Sequence, residues 1–341
     1  MARLSRRDFV RGAAVFGLGA LTIPLTSCGG PSGPVSNVPS DTVRAAFGAL
    51  QPTLDPHNWT TATGPRTLAP LFDGLTFIQS DGKLRPALAV AWSQLNPTTW
   101  QFRLRVDDAK FHNGETFGPD SVRFTFDRLH SSKLPLSKLA EAVQRVDIAD
   151  PATVNVVTHE PDADLPRWIS AIYMLPPRYF AQTGESGFLA QPAGTGYWQV
   201  DDFQPGSHLH LTQFRDTWRG ARGSDSAPPL KRLELEVMAG AGSRVDALRG
   251  LQVDVATELS QDELQRLQAE GFQAIVTAVG QLNAPDAGWQ TAAFGAVLAS
   301  GSDALATAAN LKGVTVLPNG SWWFDRVTKT AMQRIAVAGG A

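Results

Sequence analysis

The chain has one cysteine in 341 residues, Cys28, so no internal disulfide can staple the fold and no cysteine-based structural zinc site can form. Charge of a single sign is also missing. Lys plus Arg number 30 against 32 for Asp plus Glu, a net charge of −2, and no basic block occurs beyond the first dozen residues. A nucleic-acid partner, which needs a concentrated basic footprint, is therefore not expected. The apolar run near the N-terminus, Gly12 to Ser27, has 16 residues. As a helix it would extend about 24 Å, short of the roughly 30 Å of hydrocarbon in a bilayer, so a permanent transmembrane helix is disfavoured. The sequence contains no Gly-x-Ser-x-Gly elbow, no His-Glu-x-x-His and no Gly-x-x-x-x-Gly-Lys-Ser/Thr phosphate loop. Gly17-Leu18-Gly19 sits inside the apolar run and is no nucleotide loop. Neither an enzyme nor a cofactor is expected. No repeat with a period of about 20 to 50 residues appears, which leaves solenoids and propellers unsupported.

What is present begins with an export signal. Ser5-Arg6-Arg7-Asp8-Phe9-Val10 is a twin-arginine pattern at the head of the apolar run, with Arg6 and Arg7 as its export determinants. The run ends in Leu25-Thr26-Ser27-Cys28, which resembles the lipobox of bacterial lipoproteins. That resemblance implies lipidation of Cys28 and a mature chain that starts there. The plainer alternative is a buried apolar helix with an incidental free cysteine. Gly29 to Ser40 (GGPSGPVSNVPS) is nearly all Gly, Pro, Ser, Asn and Val, a composition that cannot pack and acts as a tether. Residues 1–27 thus read as a signal peptide and 28–40 as a flexible tether to a membrane lipid anchor. The expected location is the cell envelope, facing the periplasm or the extracellular side after twin-arginine export.

From Asp41 onward, 43% hydrophobic content over the whole chain suffices for a packed core. Strand-like and helix-like segments alternate. Thr42–Phe47, Leu75–Ile78, Trp100–Val106, Thr153–Thr158 and Leu233–Met238 read as strands. Pro205-Gly206 sits between Gly194–Val200 and Ser207–Thr212, the pattern of a hairpin. Pro119–His130 reads as a helix with Gly118-Pro119 opening it, and Leu165–Tyr173 as a short buried helix ended by Pro176-Pro177. Leu68–Phe72 is expected to begin a helix or to form its last turns. Ser243–Arg249 reads as a helix capped by its serine, Val253–Ala256 as a short buried strand, and Glu263–Glu270 as a charged helix stopped by Gly271. Mixed elements of this kind indicate an α/β body.

In order, these segments carry Leu71-Phe72-Asp73-Gly74-Leu75, Gly82-Lys83-Leu84-Arg85-Pro86-Ala87-Leu88-Ala89-Val90-Ala91-Trp92 and Trp100-Gln101-Phe102-Arg103-Leu104-Arg105. Next come Ala109-Lys110-Phe111-His112-Asn113-Gly114-Glu115-Thr116-Phe117 and Asp120–Leu129, then Gly194-Thr195-Gly196-Tyr197, Arg215–Gly220 and Arg244–Ala256. Over about residues 41 to 260 the series resembles the extracellular solute-binding proteins of peptide and nickel ABC importers, family 5. Tyr197, where the family usually has Pro, and Leu251-Gln252, where an acidic residue usually follows the glycine, depart from the pattern. The resemblance implies a fold like the type II periplasmic binding proteins, a peptide or other small solute as ligand, and ABC permease subunits as partners. Asn310–Asp325 resembles the family's C-terminal return, whereas Phe272–Ala309 matches nothing in the family's distal lobe. The implied organisation is a proximal lobe from 41–67, 186–271 and 310–330, a family-specific extra domain at 68–185, and a short replacement, 272–309, for a largely deleted distal lobe. Ala293, Phe294, Val297, Leu298, Leu305 and Ala308 fit a helical stripe that would cover the exposed wall.

The resemblance places the proximal cleft wall at the loop around His57, Asn58 and Trp59 and at the turn Gly194, Thr195, Gly196. His57, Asn58 and Trp59 offer a donor, an amide and an aromatic face in a row; alternatively Trp59 packs under its own loop. Trp218 is expected to plug a strand end, and Asp73 and Arg123 to serve turns and surface pairs. His208 and His210 share a strand face and could hold a metal, but with no cysteine or carboxylate motif attached the expectation is a solvated strand face and no metal site. The two functional expectations are capture of solute for import and, alternatively, a non-binding surface scaffold or decayed paralogue that docks to envelope partners.

Overall fold

A computed structural model describes residues 41–61, 63–79, 82–219 and 230–277, together with short strands between 303 and 329. Arg6, Arg7, Cys28 and the tether lie outside the described residues. In chain order the elements are β1 (Thr42–Phe47), α1 (Thr63–Leu68), β2 (Thr76–Ile78), β3 (Leu84–Pro86), β4 (Ala89–Asn96), β5 (Thr99–Leu104) and α2 (Pro119–Ser131). Then come α3 (Ser137–Ala140), β6 (Val143–Asp150), β7 (Thr153–Thr158), α4 (Leu165–Trp168), α5 (Pro177–Ala190), β8 (Trp198–Gln204) and β9 (His208–Gln213). The last are β10 (Arg232–Val237), α6 (Ala241–Arg249), β11 (Val255–Ala256), α7 (Gln261–Ala269), β12 (Gln273–Thr277) and β13 (Asp303–Thr307).

The main sheet has seven strands in the order β12-β13-β11-β1-β10-β9-β8. Its centre is parallel, with β1 paired to β10 on one side and β11 on the other, and its flanks are antiparallel. The sequence of β1 explains the position. In TVRAAF every residue but Arg44 is buried, the near-continuous apolar run of a strand covered on both faces. Val43, Ala45 and Phe47 belong to the main core, while Ala46 packs with Val245, Leu248, Leu264 and Leu267 of α6 and α7. Toward β8 the second cover is lost. On β10 and β9, Leu233, Leu235, Leu209 and Leu211 are buried, and the alternate residues Glu234, Glu236, His208 and His210 are half-exposed.

A separate four-stranded antiparallel sheet, β4-β5-β7-β6, carries α2 on one face. Helix α2 starts with Pro at its first position and Asp120 in its first turn, and buries Val122, Phe126 and Leu129. Helix α7 opens on a full capping box, Ser260 with Glu263.

Three expectations need correction. Helix α6 is not serine-capped: it starts at Ala241 with Gly240 as N-cap, and Ser243 sits inside it. Leu305 belongs to strand β13, which pairs antiparallel with β12 and β11 and extends the sheet, so the helical stripe does not form there; residues 291–302 and Ala308 lie outside the described residues. Leu68–Phe72 does not begin a helix: Leu68 is the last residue of α1, whose Gly64 abuts the Trp59 ring with no room for a Cβ. The C-terminal strands pair with one another, Leu311–Lys312 with Thr328–Lys329 and Thr315–Val316 with Trp322–Trp323. Among the described residues no helix is long and apolar enough to cross a membrane.

Candidate functional site

In open α/β sheets, ligands bind beyond the carboxyl ends of the parallel strands. Here three parallel strands end side by side, β1 at Phe47, β10 at Val237 and β11 at Ala256. The chain exits are tied by two arginines. Arg244 of α6 donates to four carbonyls: Met238 (2.6 Å) and Ala239 (2.9 Å) after β10, and Thr257 (2.8 Å) and Glu258 (3.0 Å) after β11. One guanidinium thereby fixes the spacing of two loops, a task that needs its planar fork of donors. Glu258 adopts φ 56°, a left-handed conformation costly for a residue with a Cβ. The strained backbone aims its carboxylate to accept the Gly48 backbone N–H at 2.9 Å and to pair with Arg66 of α1. A Cβ at Gly48 would meet the Glu258 carboxylate, so any larger residue there displaces that side chain from its contacts. The Thr257 hydroxyl is buried without a hydrogen-bond partner, while Ala49, Ala239, Gly240 and Ser260 are exposed at the rim.

Next to this edge runs the loop that carries His57, Asn58 and Trp59, and the structure turns two of these side chains inward. His57 is fully buried. Arg128 of α2 donates to its Nδ1 at 2.9 Å, so Nδ1 accepts, and Nε2 donates to the Tyr173 carbonyl at 2.9 Å. Burial first, and the adjacent Arg128 charge second, push its pKa down to about 4. Trp59 is 4% exposed and donates its indole N–H to the Pro56 carbonyl at 3.0 Å, which is the packing alternative. Asn58 is exposed. The loop is anchored by a bidentate pair in which Arg128 donates to Asp55 at 3.1 and 2.7 Å, and Asp55 also accepts the His57 backbone N–H at 2.9 Å.

Gly194, Thr195 and Gly196 are likewise buried. Thr195 donates to Asp73 at 3.0 Å, and the same carboxylate accepts from the Trp218 indole at 2.9 Å and from Arg219 at 2.6 Å. Asp73 therefore holds three chain segments inside the protein rather than a turn at its surface. Trp218 is structural as expected, with the Arg105 guanidinium 4.6 Å from its ring centroid. Arg123 forms a surface pair with Asp120 at 2.8 Å. His112 straps the Gly-Thr-Gly turn: its Nδ1 accepts from the Gly194 N–H at 3.2 Å and its Nε2 donates to the Gly196 carbonyl at 3.1 Å. Burial pushes the His112 pKa down to about 4, against the opposing pull of the Gly196 carbonyl and the Asp73 charge. Both glycines press on the 70–72 backbone, where a Cβ at Gly194 would overlap the Leu71 carbonyl oxygen and one at Gly196 the Pro70 carbonyl oxygen. Gly194→Ala is expected to destabilise by about 1–3 kcal/mol through overpacking, measured by urea titration; an unchanged midpoint would show that the turn can give way.

The sequence reading missed Arg66, Arg128, Arg244 and Glu258. Arg244 and Glu258 are legible only once β10 and β11 are known to lie on either side of β1, because strand exits some twenty residues apart in sequence meet only through that pairing.

The comparisons with known proteins agree with this architecture. The model of bacterial extracellular solute-binding proteins, family 5 (middle region), matches residues 83–294. The nickel-binding protein NikA of Staphylococcus aureus is 24% identical over 193 residues, 55% of this chain and 36% of NikA. A putative ABC transporter peptide-binding protein of Brucella ovis is 24% identical over 204 residues, 55% of this chain and 37% of that protein. The chain thus spans little more than a third of the length of these two relatives. The crystal structure of NikZ from Campylobacter jejuni, in complex with Ni(L-His), superposes with a TM-score of 0.62 at 21% identity, over 70% of this chain and 48% of NikZ. The sheet order, the motif series and the matched region lead to one conclusion: the chain belongs to the bacterial extracellular solute-binding proteins of family 5.

Proposed function

We propose that the protein is the solute-binding component of an ABC importer, non-enzymatic, taking a peptide or a related small solute at the carboxyl ends of β1, β10 and β11. The observation that carries this reading is the built edge itself. Arg244 and the Arg66–Glu258 pair hold three loops in fixed register, which is preorganisation of the kind that lowers the cost of binding. The ligand shelf inferred from the sequence is narrowed by side-chain direction. Asn58 and the backbone rim at Ala49 and Gly240 face solvent, and His57, Trp59, Gly194, Thr195 and Gly196 act as the frame behind them. The division into a proximal lobe (41–67, 186–271, 310–330), an extra domain (68–185) and a shortened distal segment belongs to the same reading, as do twin-arginine export through Arg6 and Arg7, lipidation at Cys28, and permease partners.

The test is thermal unfolding and calorimetry with a pooled peptide library and with nickel chelates. A ligand at about 100 times its Kd adds about 2.7 kcal/mol, which for a body of this size raises Tm by about 5–10 °C, and Ala49→Trp should remove the gain. The second reading, a non-binding surface scaffold or decayed paralogue that docks to envelope partners, is selected by an unchanged Tm with every ligand. Lipid anchoring is tested separately, since Cys28→Ser should move the protein from the membrane fraction to the soluble fraction.

A further inference from the structure

Beside the carboxyl end of β10, where the Val237 N–H donates to the Ser207 carbonyl at 2.7 Å, the half-exposed face of β8, β9 and β10 gathers ligating side chains from three strands. His208 and His210 lie two residues apart on β9, so both rings rise from one face, and they stack at 4.3 Å with 22° between planes. The register sets Asp202 opposite His210 on one side and Glu234 and Glu236 opposite His210 and His208 on the other. An irregularity between Val200 and Asp202 on the edge strand β8 re-aims the Asp202 carboxylate toward His208. Asp202 Oδ2 lies 2.8 Å from His208 Nε2, and Glu236 Oε1 lies 2.9 Å from His210 Nε2. The ligating atoms of Asp202, His208 and His210 all fall within 4.8 Å of one another.

We propose that Asp202, His208 and His210 form a surface site for a divalent first-row cation of the imidazole-preferring class, zinc being the reference ion. In a tetrahedral site with bonds of about 2.0–2.1 Å, ligand atoms stand about 3.3 Å apart, so side-chain rotation at a half-exposed surface closes the set without moving the backbone. The surrounding groups are disposed as such a site requires. Ser207 Oγ lies 3.1 Å from His208 Nδ1, a contact that orients the ring and leaves Nε2 toward Asp202. Glu236 bonds one nitrogen of His210 and leaves the other available. Glu234, whose ligating atom lies within 4.8 Å of those of His210 and Glu236, has one carboxylate oxygen engaged by Arg44 at 2.8 and 2.6 Å, which makes it a poorer ligand than Asp202. Two imidazoles and one carboxylate form the donor set that selects zinc, nickel or copper over magnesium or calcium. A water molecule completes the fourth position.

The test is equilibrium binding of free Zn2+, with no chelating solute, to the full chain at pH 7.5, read by competition with a chromophoric chelator. One ion per chain with a micromolar Kd is expected. His208→Gln and His210→Gln should each weaken binding at least tenfold, Asp202→Asn similarly, and Ser207→Ala a few fold. Co2+ loaded in the wild-type chain should give the visible absorption of a four-coordinate imidazole and carboxylate site, a readout independent of any variant's folding. Absence of uptake at 100 μM Zn2+, or equal uptake by the His208→Gln/His210→Gln double variant, overturns the proposal. Because Asp202, His208 and His210 lie on β8 and β9 and not in the loops that follow β1, β10 and β11, the double variant should keep any peptide-induced Tm shift, and Ala49→Trp should keep zinc binding, so the two readings fail separately.

Discussion

Arg128→Ala should destabilise the protein by about 3–5 kcal/mol, the range found when one partner of a buried ion pair is removed. The side chains of Arg128 and Asp55 are 8% and 3% exposed. The guanidinium meets both oxygens of Asp55, donates to His57 Nδ1 and reaches Glu185 at 3.0 Å, with its carbon 5.2 Å from the centroid of the Phe180 ring. Alanine would strand the Asp55 carboxylate in a site with little water and leave His57 Nδ1 without its donor. Lysine restores charge but cannot fork, so Arg128→Lys should recover only part of the loss. The double variant Arg128→Met/Asp55→Asn should lie well above Arg128→Ala, because the uncompensated charge is gone. Urea unfolding measures all three. A loss below about 1 kcal/mol for the alanine variant would sink the view of this pair as the anchor of the 55–59 loop.

The second large effect is acid sensitivity. His57 and His112 both have folded pKa values of about 4, below the ordinary value of 6.5. A depressed folded pKa means that the unfolded chain binds protons that the folded chain refuses. The associated stability is fully present above about pH 6.5 and is lost as pH falls through about 4. The sign follows from burial of both rings, and it is reinforced because each Nδ1 already accepts an N–H, from Arg128 or from Gly194. Two such groups give a slope of about 2.7 kcal/mol per pH unit within the window. The groups that face them are Arg128 and Asp55 for His57 and Asp73 for His112. Asp55 is itself held below the usual carboxylate range: burial opposes this, and Arg128 outweighs it. It therefore stays ionised across the upper part of the window and adds its own loss further down. Stability should be level from pH 7 to 8 and fall steeply between 6 and 4. His112→Asn should flatten the slope by about half, whatever it does to stability at pH 7; an unaltered slope would refute the assignment.

The strands at 42–47, 153–158 and 232–237 and the helix at 119–131 were legible because each carries a local signal, such as a run of buried residues, a period of two, or a proline at a helix start. Strands β4 and β6 were not read, since five of eight residues in β4 and five in β6 are exposed and an apolar pattern is what such reading detects. Helix α5 was missed where Gly184 breaks it with φ 67°. At the candidate site the residue types were visible and their roles were not. His57, Trp59 and Thr195 look like ligand-facing groups in a string of letters, and the structure buries all three. His208 and His210 carry no carboxylate motif along the chain, and the sheet supplies Asp202 and Glu236 from its neighbouring strands.

The sequence by itself determined the family, through eight ordered motifs whose spacing is a property of one chain, and with it the α/β character, because periodicity and capping act over a few residues. Only the tertiary structure decided which side chains face inward, which strand exits Arg244 and Glu258 join, and which carboxylates stand beside two histidines. Those relations arise between residues up to about two hundred positions apart, where local chemistry carries no information and strand register alone sets the distances.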